Sequence, residues 1–280
     1  MENKVSQKSK AEALKELHHG EKMLVLPNIW DPLGAALLET LGYPAVATAS
    51  ASVALTHGYD DGERIPLPDV LKRLTLIVNS VSVPVTADFE SGYADSEQQL
   101  ERNIELLLQT GIVGINLEDY DKKSGVLFSA EMQCKRIKAV KAIADAMKVP
   151  LFINARTDTY MRGKQDQKQK LLDTENRGKA YMDAGADCFF PVAMKNKDEL
   201  VYLVSSLKCP VNVIALQGIP DFETLQEIGV ARLSLGPGFL KVAIKAMKDV
   251  AQKLKNYEGL EEVTNNEVTS EFLKKLVNRE

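Results

Sequence analysis

A chain of 280 residues fits one large α/β barrel better than two small domains. Its 45% hydrophobic and 26% charged residues supply a sizeable core, and a net charge of −4 gives no basic face for a nucleic acid. The longest near-apolar stretch, residues 45–55, is broken by Thr and Ser and is too short to span a bilayer. No apolar signal segment follows the mixed-charge N-terminus, so cytoplasmic residence is expected, with neither membrane nor nucleic acid as partner. Cys134, Cys188 and Cys209 are scattered and odd in number, which argues against a disulfide framework and for buried small residues.

In chain order, strand-like runs fall at 23–27, 45–48, 83–89, 113–118, 151–156, 187–191, 211–216 and 231–235. Amphipathic segments such as 96–110, 130–147 and 168–184 lie between them. Strands alternating with helices predict a closed (β/α)8 TIM-type barrel over residues 1–256. An open doubly wound sheet is the competing architecture, but no Gly-rich phosphate fingerprint follows the first strand. Gly42 and Gly185 mark places where a helix turns back toward a strand. Residues 257–280 form a helical appendage whose apolar stripe (Phe272, Leu273, Leu276, Val277) needs a covering surface, on its own barrel or on a neighbour.

Alternation along the strands separates two faces. Val83, Val85, Ala87 and Phe89 are apolar, whereas Thr86, Asp88 and Glu90 share the other face. Val113, Ile115 and Leu117 oppose Gly114, Asn116 and Glu118; Leu151, Ile153 and Ala155 oppose Asn154 and Arg156. Apolar sets face the helices, so Asp88, Glu90, Glu118 and Arg156 arrive together at the carboxyl ends of three consecutive strands, where barrel enzymes hold their active sites. Converging carboxylates repel one another unless a cation stands between them. A hard divalent ion with oxygen ligands meets that need; a network neutralised by Arg156 and lysines is the competing arrangement.

At these residues the sequence resembles the isocitrate lyase/phosphoenolpyruvate mutase superfamily. The carrying segments are GYDDGE (58–63), TADFESGY (86–93), INLED (115–119) and INARTD (153–158), in order and within a resemblance running from about Leu24 to Leu240. The resemblance implies that Asp88 binds Mg2+, with Mn2+ as the alternative, and that Asp61, Glu90 and Glu118 hold its water shell. It implies that Arg156 grips a substrate carboxylate, and that Thr48, Ser50, Ala51 and Ser52 belong to the small-residue loop around the substrate oxygens. Lys122 and Lys123 fall on the lid loop, and Arg156, Glu118 and Lys122 are the catalytic candidates.

The superfamily's Lys-x-Cys-Gly-His and Lys-Thr-Asn-Ser gate loops are both missing from residues 120–126; Val192 replaces a Glu, and Thr48 stands where a Tyr is common. The implied activity is therefore Mg2+-dependent carbon–carbon cleavage or decarboxylation of a small α-oxo or hydroxy acid through an enolate. A phosphonopyruvate-type carbon–phosphorus mutase or hydrolase and a non-catalytic oxo-acid-binding barrel are the alternatives. The resemblance also implies a homo-oligomer, a dimer of helix-swapped dimers. His18 and His19 read as solvated on a polar helix, His57 as structural, and Asp31 as a helix cap.

Overall fold

The computed structural model describes residues 6–278; the expected appendage runs on to Arg279 and Glu280, which lie outside the described residues. The chain opens with α1 (Gln7–Leu17), then β1 (Leu24–Leu26) and β2 (Asn28–Ile29), which Pro27 separates within one strand path because it cannot donate to the ladder. There follow α2 (Pro32–Thr40), β3 (Val46–Thr48), α3 (Ser50–Thr56), α4 (Leu67–Asn79), β4 (Val85–Asp88), α5 (Glu97–Gln109) and β5 (Gly114–Glu118). A small antiparallel hairpin, β6 (Tyr120–Asp121) with β7 (Val126–Leu127), leads into α6 (Ala130–Ala146) and β8 (Phe152–Thr157). Next come α7 (Thr159–Arg162), α8 (Gln167–Asp183), β9 (Cys188–Pro191), α9 (Lys197–Leu207), β10 (Asn212–Ile214), α10 (Phe222–Ile228) and β11 (Arg232–Ser234). The chain ends in α11 (Gly238–Lys255), α12 (Leu260–Thr264) and α13 (Ser270–Asn278).

The barrel strands pair in parallel in the order β2-β3-β4-β5-β8-β9 and β1-β11-β10, and a bridge between Phe189 and Val211 joins the two runs. With β1 and β2 consecutive, the ring is closed, which rules out the open doubly wound sheet. Each expected strand forms, its ends displaced by one or a few residues, mostly inward, with β8 running one residue past its expected end.

Helix starts follow local chemistry: Asp31, Ser96, Ser129, Asp166, Asn196 and Asp221 each accept the backbone N–H three residues on. Gly42 and Gly185 take φ of 83° and 104°, a left-handed turn that a side chain would resist.

Val85, Ala87, Phe89, Ile115, Leu117, Ile153 and Ala155 pack outward with the helices in the main core. A second cluster closes the amino-terminal end of the barrel, where Ala11 and Leu14 of α1 meet Leu24, Leu26, Ala45, Val113, Phe152 and Cys188. His18 belongs to this plug. It is 3% exposed and stacks on Phe152 with ring centroids 4.1 Å apart, so its expected solvation is incorrect: the apolar face of α1 carries the ring inward. His19 is exposed. The three cysteines are free; Cys188 is buried in the plug, while Cys134 and Cys209 are only half-buried.

In the appendage, α13 lies on α2 with Leu276 buried. By contrast α11 buries only Leu240 and leaves Val242, Ile244, Met247 and Leu254 exposed. No helix among the described residues is long and apolar enough to cross a membrane.

Candidate active site

Following the strand registers round the ring sorts the inward side chains into layers contributed by alternate strands. Toward the carboxyl end, Asn28, Asp88, Arg156 and Ile214 share a layer, with Glu118 above it and Glu90 beyond the end of β4. Below it lie Ala47, Asn116, Phe190 and Ser234. The alternation expected for β4, β5 and β8 therefore does bring Asp88, Glu90, Glu118 and Arg156 to one mouth.

Asp88 is held by donors from three directions. Its Oδ2 accepts from Ser50 Oγ at 2.9 Å and Ser50 N at 3.3 Å, and its Oδ1 accepts from Asn116 Nδ2 at 3.3 Å. Its own N–H donates to Thr48 Oγ1 at 3.2 Å. Asn154 Nδ2 in turn donates to Asn116 Oδ1 at 2.8 Å, so a line of amides sets the rotamer of the group beside Asp88. Of the remaining loop residues, Ala51 is half-buried, and Ser52 is fully buried with no partner for its hydroxyl among the described residues.

The other acids are tied to cations. Lys122 Nζ lies 2.9 Å from Glu90 Oε2 and 2.5 Å from Glu118 Oε1. Arg156 Nη1 meets the second Glu118 oxygen at 2.9 Å, and its Nε–Nη2 edge grips Asp158 at 2.7 and 3.1 Å. Burial pushes both Glu90 and Glu118 up to about 7, against the pull of Lys122 on the first and of Arg156 and Lys122 on the second. Burial also works against the Lys122 ammonium, but Glu118 and Glu90 outweigh it and hold the lysine protonated. The cation-neutralised network weighed against a metal is thus present, built on Glu90, Glu118, Lys122 and Arg156.

Asp61 is not drawn into it by any hydrogen bond. It sits exposed beyond α3, near enough to add repulsion to Glu90. Its neighbour Glu63, which the residue pattern did not single out, does more: one oxygen accepts from Ser91 N, Ser91 Oγ and Tyr93 N at 2.8–3.0 Å. Glu63 N and Tyr93 Oη both donate to Glu90 Oε1 at 3.1 and 3.2 Å. Nothing in GYDDGE marks Glu63 over its neighbours, because the backbone donors it accepts from lie in a turn about thirty residues further on.

The lid candidates divide. Lys122 is anchored inside, whereas Lys123 is exposed and 3.9 Å from Asp95. The loop is pinned by its hairpin and by Arg162 stacked 3.7 Å over the Tyr120 ring. Asp31 caps α2 through Gly34 N at 2.7 Å, and His57 is held between Val53 O and Arg73, the structural role expected of it.

No three acidic, histidine or cysteine side chains among the described residues converge closely enough to cage a bare metal ion. A closed, all-parallel barrel with acids and an arginine gathered at its carboxyl end carries its polar groups where barrel enzymes hold their active sites.

Residues 14–255 match the family described as phosphoenolpyruvate phosphomutase, and the chain belongs to it. Similar proteins include 2,3-dimethylmalate lyase of Eubacterium barkeri, 28% identical with 94% of this chain and 92% of that protein covered. Another is 2-methylisocitrate lyase of Halalkalibacterium halodurans, 25% identical with 94% and 87% covered. A crystal structure from Burkholderia cenocepacia J2315, provisionally described as a phosphonomutase, superposes with a TM-score of 0.84 at 32% identity, covering 89% of this chain and 99% of that one.

Proposed function

We propose that this chain is a Mg2+- or Mn2+-dependent lyase that cleaves a carbon–carbon bond in, or decarboxylates, a small α-oxo or hydroxy carboxylic acid. The observation that carries this reading is the pairing of Asp88 and Arg156 in one barrel layer, an anionic and a cationic group side by side under a rim of buried acids. The relatives named above as lyases favour carbon–carbon cleavage.

The donor set fits a hard divalent cation. It consists of oxygens, and Asp88 is fixed by Ser50 and Asn116 as a metal-bound carboxylate is by its outer partners. Asp88 would bind the ion directly, while Asp61, Glu90 and Glu118 would hold its water. Bound there, the ion supplies Lewis-acid stabilisation of the charge that develops on the substrate oxygens. Arg156 holds the substrate carboxylate, exchanging part of its grip on Asp158 and Glu118 for it. Thr48, Ser50, Ala51 and Ser52 line the oxygens with small groups and hydroxyls. As the bond at C3 breaks, its electron pair stays on the oxo acid, and Lys122, protonated between Glu90 and Glu118, is placed to return a proton.

A panel of oxo and hydroxy acids assayed with Mg2+, following pyruvate or glyoxylate release, tests the reading. Arg156→Lys should weaken the active acid by about 2–4 kcal/mol with Mg2+ affinity kept, since an ammonium lacks the two-toothed contact. Turnover of phosphonopyruvate seen by 31P NMR, with no carbon–carbon cleavage across the panel, would replace the lyase reading with a carbon–phosphorus one.

The assembly belongs to the same proposal. The exposed apolar face of α11 calls for a second copy to cover it, as a helix exchanged within a dimer, with two dimers forming a tetramer. Light scattering that gave a stable monomer at micromolar concentration would refute the exchange.

A further inference from the structure

Beneath the Asp88 layer the barrel holds a charge that the mechanism above does not use. Arg232 of β11 is fully buried, its root in a layer with Ala45, Gly114 and Cys188, three small residues that leave it room. Its Nε donates to Ser234 Oγ at 3.0 Å, and Ser234 Oγ passes the bond to Asn212 Oδ1 at 3.1 Å. Ser234 lies further along the strand, so this bond draws the arginine's Nε toward the mouth. Among the described residues it forms no ion pair, and the carboxylate whose charge it feels is Asp88. Burial draws it down to about 10, so it remains a cation at neutral pH.

Its surroundings are also incomplete. Among the described residues Arg232 Nη1, Asn212 Nδ2, the Thr86 hydroxyl and Asn154 Oδ1 are buried without a partner. Thr86, Asn154 and Asn212 share the layer next above the arginine's root. An unpaired buried cation is costly, and a floor serving stability alone would be better filled by an apolar side chain of the same volume. What offsets a buried positive charge is a negative one brought close when the site is used.

We propose that Arg232 is a positioning residue for the substrate: a fixed positive charge in the barrel floor that favours the anion bound above it and opposes the divalent cation beside that anion. The inference rests on the lyase reading, because it takes Asp88 and Arg156 as the substrate layer. Its signature is a split. Removing the charge weakens an anionic ligand and leaves metal binding equal or tighter, whereas damage to the fold would weaken both.

The test uses the full chain, Mn2+ and oxalate, a planar dianion, with calorimetry and thermal melting. In Arg232→Met, Mn2+ should bind at least as tightly as in the unaltered chain, and oxalate should bind the Mn2+-loaded protein about tenfold more weakly. The melting temperature should hold or rise, and Arg232→Lys, which keeps the charge, should recover oxalate to within about threefold. Joint loss of Mn2+ and oxalate in Arg232→Met, a failure of that variant to fold, or unchanged oxalate affinity would each overturn the proposal. Absence of Mn2+ binding by the unaltered chain would instead overturn the lyase reading, and this inference with it.

Discussion

The two ends of the barrel handle buried polarity in opposite ways. At the mouth the buried acids Glu90, Glu118 and Asp158 each have a cationic partner: Lys122 serves Glu90 and Glu118, and Arg156 serves Glu118 and Asp158. At the floor, His18 is neutral and stacked on Phe152, and Arg232 has no ion pair among the described residues. Paired ions can exchange partners when a ligand arrives, because each has an alternative. A floor of apolar contacts and fixed charge cannot exchange anything, and serves as the rigid reference against which the mouth rearranges.

The sharpest way to break this contrast is at Asp88. Asp88→Ala should abolish measurable Mg2+ binding by calorimetry while the melting temperature changes little, since the mouth is built for exchange and not for stability. Unchanged Mg2+ affinity would remove Asp88 from the metal site.

Leu14→Ala should behave inversely. Leu14 is fully buried in the plug, and its truncation should cost about 3 kcal/mol of unfolding free energy with Mg2+ affinity intact. A loss of metal affinity comparable with Asp88→Ala would show that floor and mouth are not separable.

His18 supplies a pH test. Burial chiefly, with Arg232 adding to it, lowers its imidazole from 6.5 to about 3. The unfolded chain therefore binds the extra proton first. Stability from the neutral ring is complete above about pH 6.5 and is lost as pH falls toward 3, by about 2 kcal/mol at pH 5. His18→Leu should flatten that part of the pH–melting curve; an unaltered slope would place the ring in water.

Ser50→Ala should give the smallest change, roughly tenfold weaker Mg2+ binding without a shift in melting, through loss of the 2.9 Å hydroxyl contact to Asp88. An unchanged constant would leave the Ser50 N–H and Asn116 to orient Asp88.

The same division explains what could be read from the sequence. Period-two alternation in β4, β5 and β8 states which side chains face inward, and the acids at the strand ends follow from it. The partners of those acids do not: Lys122 reaches Glu90 across a hairpin, a long-range contact that no spacing rule encodes. Glu63 was hidden for the same reason, since its role depends on backbone N–H groups of the 91–93 turn. The floor was less legible still. Ala11 and Leu14 are the two fully buried positions of α1, with Leu17 packed beside them, and the ring of His18 continues a stripe whose polar end read as solvated. Arg232 sat in a strand of ordinary pattern, and its isolation appears only when the layers are assembled.

Gly114 carries one more consequence. A β-carbon there would stand 2.6 Å from Leu14 Cδ2 and 2.9 Å from Thr86 Oγ1, so the seat of α1 is cut to a missing methyl group. Gln7 in the same helix donates to the carbonyls of Leu108 and Ile112, across sequence separations of 101 and 105 residues. The seat also uses Phe152 and Cys188, still further along the chain. During synthesis, then, α1 is made well before Val113, Phe152 and Cys188, the parts of its seat that come last in the chain. A segment made before most of its seat is among the last to be fastened, a stopper set in place late.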